Sequence, residues 1–231
     1  MRSRRPDFAQ LRAGQLEAVK WVALAFMLLE HFWRYAIGEM PPAVYQAGRI
    51  AFPLFAFALA LGLGSKPCVA VRVVLGRIFA WGLVAQVAGL LVDVPLTRLN
   101  VLFTLGLGLL SAYAFSCEPR WWRAAIFAVP IAILGWHCEF GLWGAGLVFA
   151  LLQLARSGWQ SRNYWLLTGL MLVTLSIPNR SMSALLAVPA VYLVILSGIT
   201  VSRIRRVFYW IYVAQFPAFA LMRQWWTGTT G

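Results

Sequence analysis

An acidic residue and a histidine stand side by side in the apolar run VALAFMLLEHFWRY, and of all residue types these are well suited to moving a proton. Glu30 and His31 lie deep in that run, and Arg34 follows one turn later. On a helix Arg34 shares a face with each of them, being four residues from Glu30 and three from His31, whereas adjacent Glu30 and His31 diverge by about 100°. Placing ionisable groups in an apolar helix is costly, and such groups are usually kept for a functional reason. Imidazole, with an ordinary pKa of about 6.5, can accept a proton near neutrality. A purely structural reading stands beside this one, with Glu30 paired to Arg34 and His31 hydrogen-bonded inside a bundle.

Other polar residues recur at the rims of apolar segments. Arg49 lies in GRIAFPLFAF, Asn100 in LNVLFTLGLG, His137 and Glu139 in WHCEFGLWG, and Asn179 precedes Arg180. Both histidines of the chain belong to this set. Asn100 or Arg49 can supply hydrogen bonds to a developing oxyanion in a site screened from water. The helices carrying His31, Arg49, Asn100 and Glu139 are expected to converge on one polar cavity. The competing reading is that these residues cap helices and meet water.

What must position them is a set of membrane helices. The 231 residues are 61% hydrophobic and 12% charged, outside the range of soluble domains. Apolar stretches long enough for a hydrocarbon core of about 30 Å alternate with short polar clusters. The expected spans are 18–37, 44–64, 73–92, 99–116, 121–136, 142–156, 164–178, 182–199 and 207–226. This reading gives an all-α, polytopic transmembrane helix bundle of about nine helices (range eight to ten), the fifth and sixth being short enough to form a re-entrant pair. A basic segment, 1–17, precedes a single helical domain, 18–226, and a tail, 227–231, follows it. The start does not have the pattern of a cleavable signal, so the first helix is expected to remain as an anchor.

The net charge of +13 reports topology rather than nucleic-acid binding. Fifteen of the 20 Lys and Arg residues fall on alternate loops, which places the N-terminus in the cytoplasm and the C-terminus outside. Arg34, Arg49, Arg98, Arg180 and Arg223 fall toward the opposite face and need another explanation. Cys68, Cys117 and Cys138 have no metal-ligand spacing and read as small apolar helix residues. No metal is expected.

The runs KWVALAFMLLEH, GRIAFPLFAF, RIFAWGLVAQ, NVLFTL, EFGLWG and FYWIYVAQ together resemble, in order and spacing, the TraX family of conjugal-transfer membrane proteins, with TrbP-type members a closer alternative. The likeness covers roughly residues 15 to 222 and extends distantly to transmembrane acyltransferases. It implies a bacterial inner-membrane protein that transfers acetyl from acetyl-CoA to the N-terminal amine of a conjugative pilin subunit. By that resemblance His31, preceded by Glu30, falls on the catalytic position, and Arg49, Asn100 and Gly141 fall on other recurrent positions. Arg34, Arg49, Asn100, His137, Glu139 and Gln215 make up the expected substrate- and oxyanion-binding set. The family's last helix tends to read FYWFYPxH, so Gln215 stands where the family has a histidine. An amide exchanges no proton. Acetyl-CoA would arrive from the cytoplasm, with its phosphates expected at Lys66, Arg72, Arg77, Arg120 and Arg123, although the sequence has no glycine-rich phosphate loop. Two other functions stay open: a non-catalytic assembly factor for pilin or the secretion apparatus, and a small transporter lined by Glu30, Arg49 and Glu139.

Overall fold

The apolar run that carries Glu30 and His31 folds as a single long helix, α1 (Ala13–His31). It continues into a π-helical turn, Phe32–Ile37, and stops at Gly38, whose φ of 84° is open to glycine without steric cost. A π-turn re-aims the side chains of its helix and often marks a functional site. Here it follows directly on His31. The computed structural model describes residues 13–117, 131, 133–204 and 206–228, and among these no strand occurs.

Pro42 opens α2 (Pro42–Gly48), where its missing N–H costs nothing. After a step at Arg49 and Ile50 the chain continues as α3 (Ala51–Gly64). Helix α4 (Cys68–Gly89) passes through a 3-10 turn, Leu90–Val92, into a left-handed Asp93. Helices α5 (Val101–Cys117) and α6 (Gly141–Arg156) follow. Ser161 caps α7 (Arg162–Thr174) by accepting from the Tyr164 backbone N–H. A short α8 (Ser176–Asn179) and a 3-10 turn, Met182–Leu186, lead to α9 (Ala187–Ser197). The described chain closes with α10 (Val207–Gly228), which contains Pro217.

The all-α expectation holds, and the elements match the expected spans closely, apart from the steps at Arg49 and Leu175. Of the span expected at 121–136, residues 131 and 133–136 are described and are helical. Arg120 and Arg123 lie outside the described residues. The middle of the bundle is α5, buried from Val101 through Leu109. It packs on α4 and α6, while α3 packs on α6 and α1. A Cβ on Gly108 would come within 2.5 Å of the Ala145 carbonyl oxygen and of Val148, so α5 and α6 approach as closely as small residues permit.

The outer helices are apolar outside as well as inside. Val73, Leu83 and Val87 on α4, Leu166 and Leu170 on α7, and Leu193 on α9 are all exposed. Two helical stretches, Pro42–Gly64 and Cys68–Val92, are long and apolar enough to cross a membrane.

The cysteines require a correction. Cys68 and Cys117, read from the sequence as unpaired small residues, are joined in a disulfide, with Cα atoms 5.8 Å apart. They are 49 residues apart in sequence and meet because the start of α4 lies beside the end of α5, a matter of tertiary packing that spacing does not reveal. Cys138 is free and buried, and burial pushes its thiol up to about 11. Thiol titration of unreduced, denatured protein should therefore find one reactive group, rising to three after reduction. In the native protein at pH 8 that group should label slowly, since little of it is thiolate.

Candidate active site

Four helices and one loop pair bring the polar residues together. The end of α1 supplies Glu30 and His31, both buried in spite of their charge or polarity. Glu30 Oε1 accepts from Arg34 Nη2 at 2.5 Å and also from Arg49 Nη2. The same-face relation of Glu30 to Arg34 thus yields the ion pair the spacing allowed, and Arg49 joins it from the step between α2 and α3. Gly48 leaves the room: a Cβ there would overlap the Glu30 carboxylate. Arg49 also lies over the rings of Tyr45 and Phe140. One N–H of its guanidinium, at Nε, is buried without a partner among the described residues.

His31 turns away from this cluster. Its Nδ1 lies 2.9 Å from Gln215 Oε1 on α10. The orientation of the Gln215 amide follows from its other bond, because Nε2 donates to the Tyr212 carbonyl at 2.8 Å. Oε1 can then only accept, so Nδ1 of His31 carries the hydrogen. The unprotonated nitrogen is Nε2. Gln215 therefore fixes the tautomer of the neutral imidazole, the task a carboxylate performs in other histidine sites.

A cavity of about 170 Å³ opens beside the ring, lined among others by His31, Arg34, Tyr35, Asn100, Glu139 and Tyr212. Loop pairing holds its far wall. Leu99 N–H donates to the His137 carbonyl at 2.7 Å and Glu139 N–H to the Leu99 carbonyl at 3.0 Å, so the segments before α5 and α6 form a single bridge. That bridge brings Glu139 to the cavity. Among the described residues no donor hydrogen-bonds its carboxylate. Burial opposes its ionisation, yet Arg49, His31, Arg34 and Arg98 outweigh burial and hold the carboxyl below its ordinary range.

Not every expected residue serves the cavity in the expected way. Asn100 lines it, but its amide donates to the Gly82 carbonyl at 2.8 Å and to Gln86 Oε1 at 3.0 Å, while its Oδ1 accepts from Leu102 N–H at 3.0 Å. Both amide protons are committed, so Asn100 caps α5 and locks the loop. Gln86 completes this lock by donating to the Pro95 and Arg98 carbonyls. His137 is exposed and contacts the Thr97 carbonyl through Nδ1 at 3.2 Å, outside the cavity lining.

A second, larger cavity of about 490 Å³ lies on the other side of Tyr212. Lys20, Arg77, Arg203 and Arg206 are among its lining residues, and Tyr212 lines both cavities. Arg77 is thus the expected phosphate-binding residue found there, while Lys66 and Arg72 are not among its lining residues. Lys20, Arg203 and Arg206 were accounted for in the sequence by topology alone. Tyr212 and Gln86 carried no sequence signal beyond being polar atoms on apolar helices.

Comparison with known proteins identifies a family. The family profile described as TraX protein matches residues 15–223. Over 123 residues the chain is 32% identical to Protein TraX of Escherichia coli, covering 53% of this chain and 48% of that protein. A second Protein TraX, from Escherichia coli strain K12, is 29% identical over 123 residues with the same shares. The chain spans about half the length of the curated relatives it matches. No solved structure matches it. With a profile match running from within α1 to the last turns of α10, the chain belongs to the TraX family.

Proposed function

We propose that this chain is a polytopic inner-membrane acyltransferase that moves acetyl from acetyl-CoA to the N-terminal amine of a conjugative pilin subunit, in the service of conjugal transfer. The observation that carries the reading is the buried His31, with Nδ1–H given to Gln215 and Nε2 left as a base, beside a cavity that Glu139 also lines. Aliphatic side chains exposed on the outer helices support the membrane setting, since a water-facing surface of that kind invites association.

The reaction balances with the groups at hand. The acceptor nitrogen attacks the thioester carbonyl carbon, and Nε2 of His31 takes the proton that nitrogen sheds. Arg34, which lines the cavity and has N–H groups beyond the one given to Glu30, faces the developing oxyanion. Collapse expels the thiolate, which recovers the proton as a thiol and leaves the amide. Burial strengthens each of these polar contacts by excluding water.

Gln215 acts here as a positioning residue. Gln215→Leu should lower kcat with KM for the donor little changed, by about tenfold to a hundredfold if it matters as much as the outer partner of a metal-bound histidine does. Gln215→His, whose ring nitrogen can accept the same bond, should retain activity. Mass spectrometry of pilin from cells with and without the protein tests the activity itself: the expected product is heavier by one acetyl group. The alternative reading, favoured by the amide at position 215, is a non-catalytic assembly factor, and an unchanged pilin mass would overturn the acyl-transfer reading and favour that alternative.

A further inference from the structure

The second cavity has a build of its own. Its lining gathers Lys20 of α1, Arg77 of α4, and Arg203 and Arg206 of the segment that leads into α10. Glu17 is the carboxylate among the lining residues, and it is occupied by Lys20 at 2.6 Å with Arg203 at 3.8 Å. Four cations against one carboxylate leave the mouth strongly positive. The segment is held in place: Val201 N–H donates to the Gly14 carbonyl at 3.0 Å, and Thr200 packs on Gly14 so closely that a Cβ there would clash. Arg206 sits at φ 64°, a left-handed conformation that a non-glycine residue adopts only against a steric cost, and its carbonyl starts α10 by accepting from Tyr209 and Trp210.

Inward from the mouth the walls turn apolar, with Leu24, Met27, Ile78 and Leu105 among them, until Tyr212 closes the end. The ring of Tyr212 lies 6.3 Å from that of His31. Along α1, Lys20 and His31 are separated by roughly 16 Å at 1.5 Å per residue. A ligand that fills this space has a multiply anionic head and a slender, largely uncharged arm.

We propose that this groove binds a phosphate-headed acyl carrier, with its phosphates on Lys20, Arg77, Arg203 and Arg206 and its arm running along α1 to Tyr212, the partition between the groove and the His31 cavity. Charge complementarity selects the head and the apolar lining selects the arm. The identity of the arm's cargo rests on the acyl-transfer reading, whereas the binding of the head and arm does not. An anionic lipid headgroup shares the phosphate chemistry, and the test separates the two sources.

Full-length protein in nanodiscs of zwitterionic lipid is titrated with desulfo-CoA, which has the head and arm but no thiol to acylate. Binding should be saturable and displaced by 3′,5′-ADP but not by adenosine. Arg77→Gln with Arg206→Gln should weaken it at least tenfold, and Arg77→Lys with Arg206→Lys should restore most of it, which separates lost charge from lost folding. His31→Gln should bind as the wild type does. Binding undiminished by the double glutamine variant overturns the assignment, and so does failure of desulfo-CoA to bind while phosphatidylglycerol is retained by the wild type and lost by the variant. If desulfo-CoA binds as expected but pilin is never acetylated, the groove stands and the acyl-transfer reading fails.

Discussion

Pilin from cells whose only copy carries His31→Gln should remain unacetylated, while the variant protein accumulates in the membrane at the wild-type level. Loss of a positioned general base costs about a hundredfold to ten-thousandfold in rate, enough to take the product below detection in a growing culture. Glutamine suits the test because it is near histidine in size and can still donate toward Gln215, as His31 Nδ1 does across 2.9 Å. What it cannot do is accept a proton as Nε2 does. His137→Ala, by contrast, should retain most of the activity, since His137 is exposed and outside the cavity. Normal acetylation in the His31→Gln strain would make the histidine structural and shift the functional reading to assembly. Loss of activity in both histidine variants would instead point to damage through the loop bridge that links residues 99 and 138.

The helices were legible because each apolar run has a length and a bounding polar cluster that mark it off, and physical chemistry leaves a buried backbone few alternatives to helix. The same economy revealed Glu30, His31 and Arg34, whose cost in an apolar segment stands out in one dimension. Glu139 was legible for the same reason and does reach the cavity. Asn100 shows where that logic stops: its polarity marked it, but whether its amide faces a substrate or Gly82 and Gln86 depends on how α4 packs against α5. The basic mouth was hidden differently. Lys20, Arg203 and Arg206 satisfy the positive-inside rule and therefore seemed explained, and only the path of the segment beside Gly14 brings them to one groove with Arg77. The disulfide was out of reach on similar grounds, being a contact between helix ends 49 residues apart. For Gln215 the family pattern told only that a proton carrier is replaced by an amide. That the amide accepts from Nδ1 of His31 depends on how α10 packs against α1.

Glu30 should prove the most costly residue of the site to remove. The carboxylate is 2% exposed and holds two guanidinium groups, one from Arg49, itself 4% exposed. Glu30→Gln leaves those cations with a neutral partner, and breaking a buried pair in this way destabilises by about 3–5 kcal/mol because an uncompensated charge stays behind. Arg34 can turn part-way to water, since its side chain is 26% exposed, so the penalty falls chiefly on Arg49. Removing both members should therefore cost less than removing the acid alone. Glu30→Gln with Arg49→Met leaves an apolar side chain between Tyr45 and Phe140, where the guanidinium lay over both rings. In thermal unfolding of the protein in mild detergent, the single variant should melt well below the wild type and the double variant between the two. Additive losses would mean that Glu30 and Arg49 do not share one charge balance in the folded protein. Recovery of stability without recovery of acetylation is the further expectation for the double variant, because Arg34, which lines the cavity beside His31, loses its carboxylate partner in that variant.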